Sequence, residues 1–127
     1  FATVDLCLFD PGQGDFELLK IGAAPSYMKR GDQIKELGAN TLPMGILKQV
    51  ESESLRECGS DGDLLVMFTD GLLESVSNES QEWIRSFLKQ TKVGEHAQFI
   101  ADRLLERVPA QPDDDVTVIV CRMRELY

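Results

Sequence analysis

Apolar and polar residues alternate from the first positions. Ala2, Val4, Leu6 and Leu8 set one apolar face against Thr3, Asp5 and Cys7, which predicts a strand over residues 1–9. Asp10-Pro11-Gly12-Gln13-Gly14 is turn chemistry, and Phe16 to Ile21 reads as the return strand, so residues 1–22 predict a β-hairpin. Gly22-Ala23-Ala24-Pro25 breaks the pattern. Ser26 to Arg30 and Gln33 to Leu37, joined by Gly31-Asp32, predict a second hairpin. Successive hairpins point to antiparallel sheet. Residues 38–48 carry Gly38, Asn40, Pro43 and Gly45 and read as an irregular loop. The polar alternating stretch Gln49 to Cys58 reads as an edge strand, and Gly59-Ser60-Asp61-Gly62-Asp63 as a turn. Leu64 to Phe68 is apolar on both faces, which predicts a strand at the centre of a sheet or sandwich.

Helical spacing begins only later. Trp83, Ile84, Phe87 and Leu88 line one face of a helix over residues 79–90, with Asn78 as N-cap and Gln81 in capping-box position. A second helix is expected over residues 94–108, with Ala97, Ile100, Ala101, Leu104, Leu105 and Val108 inward and Pro109 and Pro112 ending it. Val116 to Met123 closes the chain as a strand. Many strands, two helices and one strand make the fold class α+β.

Composition narrows the partners. The 127 residues suit one domain, and 43% hydrophobic content can bury a core. With 13 basic and 22 acidic residues the net charge is −9, which argues against nucleic acid and against adsorption to anionic lipid. No apolar run approaches the roughly 18 residues of a membrane span, and no signal peptide is visible. The start at Phe1-Ala2-Thr3 is expected to mark a fragment of a longer protein. Cys7, Cys58 and Cys121 are odd in number and lack metal spacing; Cys7 and Cys121, inside strand-like runs, are expected as reduced core thiols in a reducing cytosol.

The candidate chemistry lies where apolar runs meet acids. Phe68-Thr69-Asp70-Gly71 ends one buried run, and Asp113-Asp114-Asp115-Val116-Thr117 opens another. If the two strands are antiparallel neighbours, Asp70 and Asp114 reach the same sheet edge. Converging carboxylates repel unless a cation or a shared proton intervenes, which is how sequence-distant acids build a hard-metal site. Asp-Gly is also a common turn pair, so Asp70 alone fits a cap or turn acid, and three adjacent acids fit a solvated loop. Gly71 is expected to allow an unusual backbone angle after the strand. His96 fits a surface residue better than a ligand or base. No serine nucleophile elbow, P-loop or dinucleotide fingerprint is present.

With these residues placed, the chain resembles the metal-dependent serine/threonine phosphatase family (PPM), in its bacterial sporulation and stress-response branch. The resemblance rests on Ile21-Gly22-Ala23-Ala24-Pro25-Ser26-Tyr27-Met28-Lys29-Arg30-Gly31-Asp32-Gln33, on Leu42-Pro43-Met44-Gly45-Ile46 and on Gly62-Asp63-Leu64-Leu65-Val66-Met67-Phe68-Thr69-Asp70-Gly71. It also rests on Asp114-Asp115-Val116-Thr117, and together these span essentially the whole chain. The resemblance implies two antiparallel β-sheets packed face to face and flanked by helices. It implies hydrolysis of a phosphoserine or phosphothreonine ester by water activated on two Mn²⁺ or Mg²⁺ ions, with no protein nucleophile. Asp70 then carries over as a metal ligand and Asp114 as its partner. Asp115 and Gly71 would then stand around the ligands, Asp115 holding the loop and the metal's waters by hydrogen bonds. The implied partner is a phosphorylated anti-anti-sigma factor in sporulation sigma-factor control, with any membrane anchor lying outside this chain.

One family motif has no counterpart. The upstream Asp-Gly that bridges both ions normally precedes the region matching Phe1, so residues 1–127 are expected to be the C-terminal part of the domain. Alone, such a part is expected to be inactive, to bind metal weakly, and to self-associate through uncovered sheet. The other reading is a non-catalytic docking or assembly module on the same fold.

Overall fold

The structure, a computed structural model, describes residues 2–38, 52–76, 82–112 and 114–125. Hairpin chemistry sets its topology. The Asp10–Gly14 turn folds β1 (Val4–Phe9) onto β2 (Asp15–Ile21), with Leu6 opposite Leu19 and Phe9 opposite Phe16. The Gly31 turn, at φ +58°, folds β3 (Ser26–Arg30) onto β4 (Gln33–Leu37). β5 (Glu53–Cys58) pairs with β2, and β6 (Leu64–Phe68) lies between β3 and β7 (Val118–Arg122). The result is two antiparallel sheets, ordered β1-β2-β5 and β4-β3-β6-β7.

β6 explains the layering. Its five residues are all buried, and they alternate between two cores. Leu64, Val66 and Phe68 face helices α1 (Asp70–Ser75), α2 (Glu82–Gln90) and α3 (Ala97–Leu105), packing with Leu72, Ile84, Leu88, Ile100 and Leu104. Leu65 and Met67 face the other sheet, packing with Phe16, Leu18, Met28, Leu37 and Met123. Each such apolar side chain contributes about 1.5–3 kcal/mol. The two-faced apolar run is therefore the central strand that its composition predicts.

Two cations tie the layers at opposite ends of β6. Arg30, on β3, makes a forked pair with the buried Asp63 carboxylate, its Nη2 at 2.7 Å, and also donates to the Cys58 carbonyl at the end of β5. Lys20, on β2, reaches the Ser26 hydroxyl at the start of β3. A third, Lys29, donates to the Leu88 and Thr91 carbonyls and the Thr91 hydroxyl, satisfying the C-terminal end of α2.

Several expectations change. On β1 the polar face turns inward: Cys7 packs on the inter-sheet core, while Leu6 and Leu8 are 48% and 64% exposed. α1 follows β6 directly, one residue after its end, a helix that the periodicity of the sequence does not show. Leu105 is exposed, because Ile100, Ala101 and Leu104 already fill the inward stripe of α3. Cys121 sits exposed on an edge strand rather than in the core. His96 stands at the N-cap of α3, exposed and making no side-chain cap bond. Asn78, Gln81, Asp113 and residues 42–46 lie outside the described residues. No described helix is long and apolar enough to cross a membrane.

Candidate metal centre

β6 and β7 bring the two acid motifs to one sheet end. Phe68 pairs with Val118, so the chain leaves β6 and enters β7 side by side. The threonines extend that pairing one step beyond the strands. The Thr69 amide donates to the Thr117 carbonyl at 3.0 Å, and the Thr117 amide donates to Thr69 Oγ1 at 3.0 Å. The Thr69 hydroxyl reaches the Asp115 carbonyl at 3.4 Å. Thr69-Asp70-Gly71 and Asp114-Asp115-Val116-Thr117 are thus laced together by main-chain and hydroxyl bonds.

Thr69 is the N-cap of α1, and Asp70 begins its first turn, where a carboxylate is favoured by the helix dipole. Asp70 is exposed and lines a cavity of about 160 Å³ with Asp5, Ala24, Phe68 and Thr117. Asp114 is also exposed, and its Oδ1 accepts the following Asp115 amide at 2.8 Å. Asp115 contributes its carbonyl to the Thr69 contact, and its carboxylate is exposed. Among the described residues no group of three or more His, Cys, Asp or Glu is arranged to hold a metal ion. The donors that Asp70 and Asp114 offer are carboxylate oxygens, which suit hard cations such as Mn²⁺ and Mg²⁺.

Gly71 serves the site differently from expectation. Its φ is not among the positive glycine values, and it lies within α1. What it provides is space. A Cβ there would stand 2.2 Å from the Asp115 carbonyl oxygen and 3.2 Å from Val116 Cγ2. The Asp114–Val116 entry can press against the start of α1 only because residue 71 has no side chain.

Asp5 and Lys20 were not singled out from the sequence. Lys20 Nζ lies 2.8 Å from Asp5 Oδ1, with the lysine fully buried and the Asp5 side chain 20% exposed. The available signal was a lysine in the inward series Phe16, Leu18, Lys20 of β2.

This arrangement of two sheets and helices is the PPM phosphatase fold. The Mycobacterium tuberculosis serine/threonine phosphatase PstP/Ppp shares it, with TM-score 0.67 at 21% identity over 97% of this chain and 60% of that one. The chain belongs to the stage II sporulation protein E (SpoIIE) family, whose model matches residues 1–124. It is 36% identical over 129 residues to stage II sporulation protein E of Bacillus subtilis (strain 168), covering 97% of this chain and 16% of that protein. A Mn-presoaked structure of the phosphatase domain of the cell-fate determinant SpoIIE from Bacillus subtilis superposes with TM-score 0.84 at 35% identity, over 99% of this chain and 58% of that one. The chain thus spans under a fifth of that Bacillus subtilis protein and somewhat over half of the related phosphatase domain.

Proposed function

We propose that this chain is the part of a metal-dependent protein serine/threonine phosphatase domain that carries Asp70 and Asp114 as ligands to a shared cation. The carrying observation is the Thr69–Thr117 lacing, which fixes both acid motifs at one end of the β6–β7 pair. A bound Mn²⁺ or Mg²⁺ pair would supply an activated water and neutralise phosphate charge. The chain's own residues do the rest. Asp70 is held at a helix start next to a rigid central strand, and Asp114 on a loop that Gly71 allows to approach. Asp115 braces that loop through its backbone. The substrate class is a phosphoserine ester on a regulatory protein, and an anti-anti-sigma factor is the partner that family membership suggests.

The absence of a three-acid group among the described residues favours one further statement. Alone, this chain binds Mn²⁺ weakly and does not turn over, because two monodentate acids leave most of an octahedral shell to water. A phosphoserine-peptide assay with Mn²⁺ tests both statements, run on the chain alone and on the chain within a complete phosphatase domain. Turnover is expected only in the second, and its loss in Asp70→Asn there. A complete domain that binds the phosphoprotein but never hydrolyses it would instead make the fold a docking module.

A further inference from the structure

Lys20 occupies a place where β2 would ordinarily supply an apolar side chain. Phe16 and Leu18 precede it on the same face, and Lys20 is as buried as they are. An ammonium in that position is costly unless every proton finds an acceptor. Here Nζ donates to Asp5 Oδ1, to the Ala24 carbonyl and to the Ser26 hydroxyl, each at 2.8 Å. Gly38, at φ +100°, leaves room for the stem: a Cβ there would lie 2.5 Å from Lys20 Cδ and 2.7 Å from Cε. Three separate segments, at Asp5, residues 24–26 and Gly38, are fitted around one cation. A well-packed apolar residue would join the sheets with less desolvation, so the charge itself calls for an explanation. Its partners point to one, because Asp5 and Ala24 line the same cavity as Asp70.

We propose that Lys20 is a positioning residue that sets the cation affinity of the Asp70 cavity, by holding Asp5 on the cavity wall as a neutralised ion pair. This rests on the reading of Asp70 as a cation ligand. With the pair intact, Asp5 adds no net charge to the cavity and its carboxylate stays fixed, so the cation is left to Asp70 and the Asp114 loop. The bond to the Ala24 carbonyl fixes the β2–β3 crossover that forms part of the same wall. The pair gives opposite signs for its two halves. Without Lys20, a bare Asp5 carboxylate attracts a cation to the cavity; without Asp5, a bare ammonium repels it. For a divalent ion several ångströms away in a partly solvated site, either change is worth about threefold to tenfold in affinity.

The test is a Mn²⁺ titration of the chain followed by NMR, which requires no turnover. Paramagnetic broadening of the Thr69, Asp70 and Thr117 amide signals reports occupancy even when binding is weak. Lys20→Met is expected to lower the half-broadening Mn²⁺ concentration about threefold to tenfold, Asp5→Asn to raise it similarly, and the double variant to return near the wild type. A purely structural brace would lower Tm in the single variants and leave the Mn²⁺ midpoints unmoved, which overturns the proposal. Should Lys20→Met fail to fold, Asp5→Asn decides alone, and an unchanged or tighter midpoint overturns it. Broadening in the wild type with no shift in the variants sinks the role of the pair and spares Asp70. Broadening absent from the wild type but present in Lys20→Met supports the pair and sinks Asp70 as a ligand acting without Asp5. No broadening in any folded variant overturns both.

Discussion

Gly71 shows how a site residue can be recognised for the wrong reason. The Asp-Gly dipeptide suggests a special backbone angle, yet the observed need is close approach, with the Asp115 carbonyl 2.2 Å from a hypothetical Cβ. Gly71→Ala is therefore expected to cost about 1–3 kcal/mol through overpacking against backbone, read as a lower denaturation midpoint. Unchanged stability would mean that the Asp115 loop yields freely. Asp70→Asn and Asp114→Asn should behave oppositely. Both side chains are exposed, and on the proposal that they share a cation, removing one acid relieves repulsion between them. Stability in metal-free buffer should hold or rise, while activity of the complete domain is lost; near-normal turnover at low Mn²⁺ would contradict their role. The placement of these two acids at one sheet end was legible because each borders an apolar run. Asp5 and Lys20 were not, since the one local signal, a lysine in series with Phe16 and Leu18, does not say which groups will accept its three protons.

At the scale of elements, periodicity revealed the strands and hid their orientation. β6 was readable because both of its faces are apolar. On β1 the more apolar face, Leu6 and Leu8, points outward, because the inward positions Asp5 and Cys7 are matched to Lys20 and to the inter-sheet core. Hydrophobicity alone selects the other side. α1 escaped because six residues are too few to show a helical period. Cys7 makes the inward orientation testable. Burial chiefly, then the negative charges of Cys121 and Asp5, push its thiol pKa up from the ordinary cysteine value. The folded state thus favours the protonated thiol. Its contribution is fully present below the unfolded thiol's pKa and is lost as pH rises through the raised folded value. Cys7→Ala should flatten the alkaline fall in denaturation midpoint. An alkaline limb of unchanged slope would place the thiol in solvent. α2 offers a parallel case: Lys29→Met removes three donated bonds from its C-terminal end, and each charge-assisted bond is worth about 1.5–3 kcal/mol at most. Loss of amide-exchange protection in the last turn of α2 would report it.

Among the described residues the two sheets are covered unevenly, which bears on association in solution. All three described helices pack on the β4-β3-β6-β7 sheet. The outer face of β1-β2-β5 carries Leu6 and Leu8 in the open, and Phe9, 51% exposed, ends β1 on the opposite face. Among the described residues β1 is also an edge, paired on one side only. Exposed apolar side chains beside unpaired backbone donors and acceptors form a template for another strand. A net charge of −9 opposes association over long range, but salt screens it to about 8–10 Å. Light scattering should therefore show a mass rising above the 14.2 kDa monomer with concentration, more steeply as salt is added. Leu8→Lys places a charge on the exposed face of β1 without touching either core, so it should lower the association while leaving the melting curve unchanged. A wild-type chain that stays monomeric at high concentration and high salt would show that this face is not sticky. A Leu8→Lys variant that associates as strongly would move the contact to another surface.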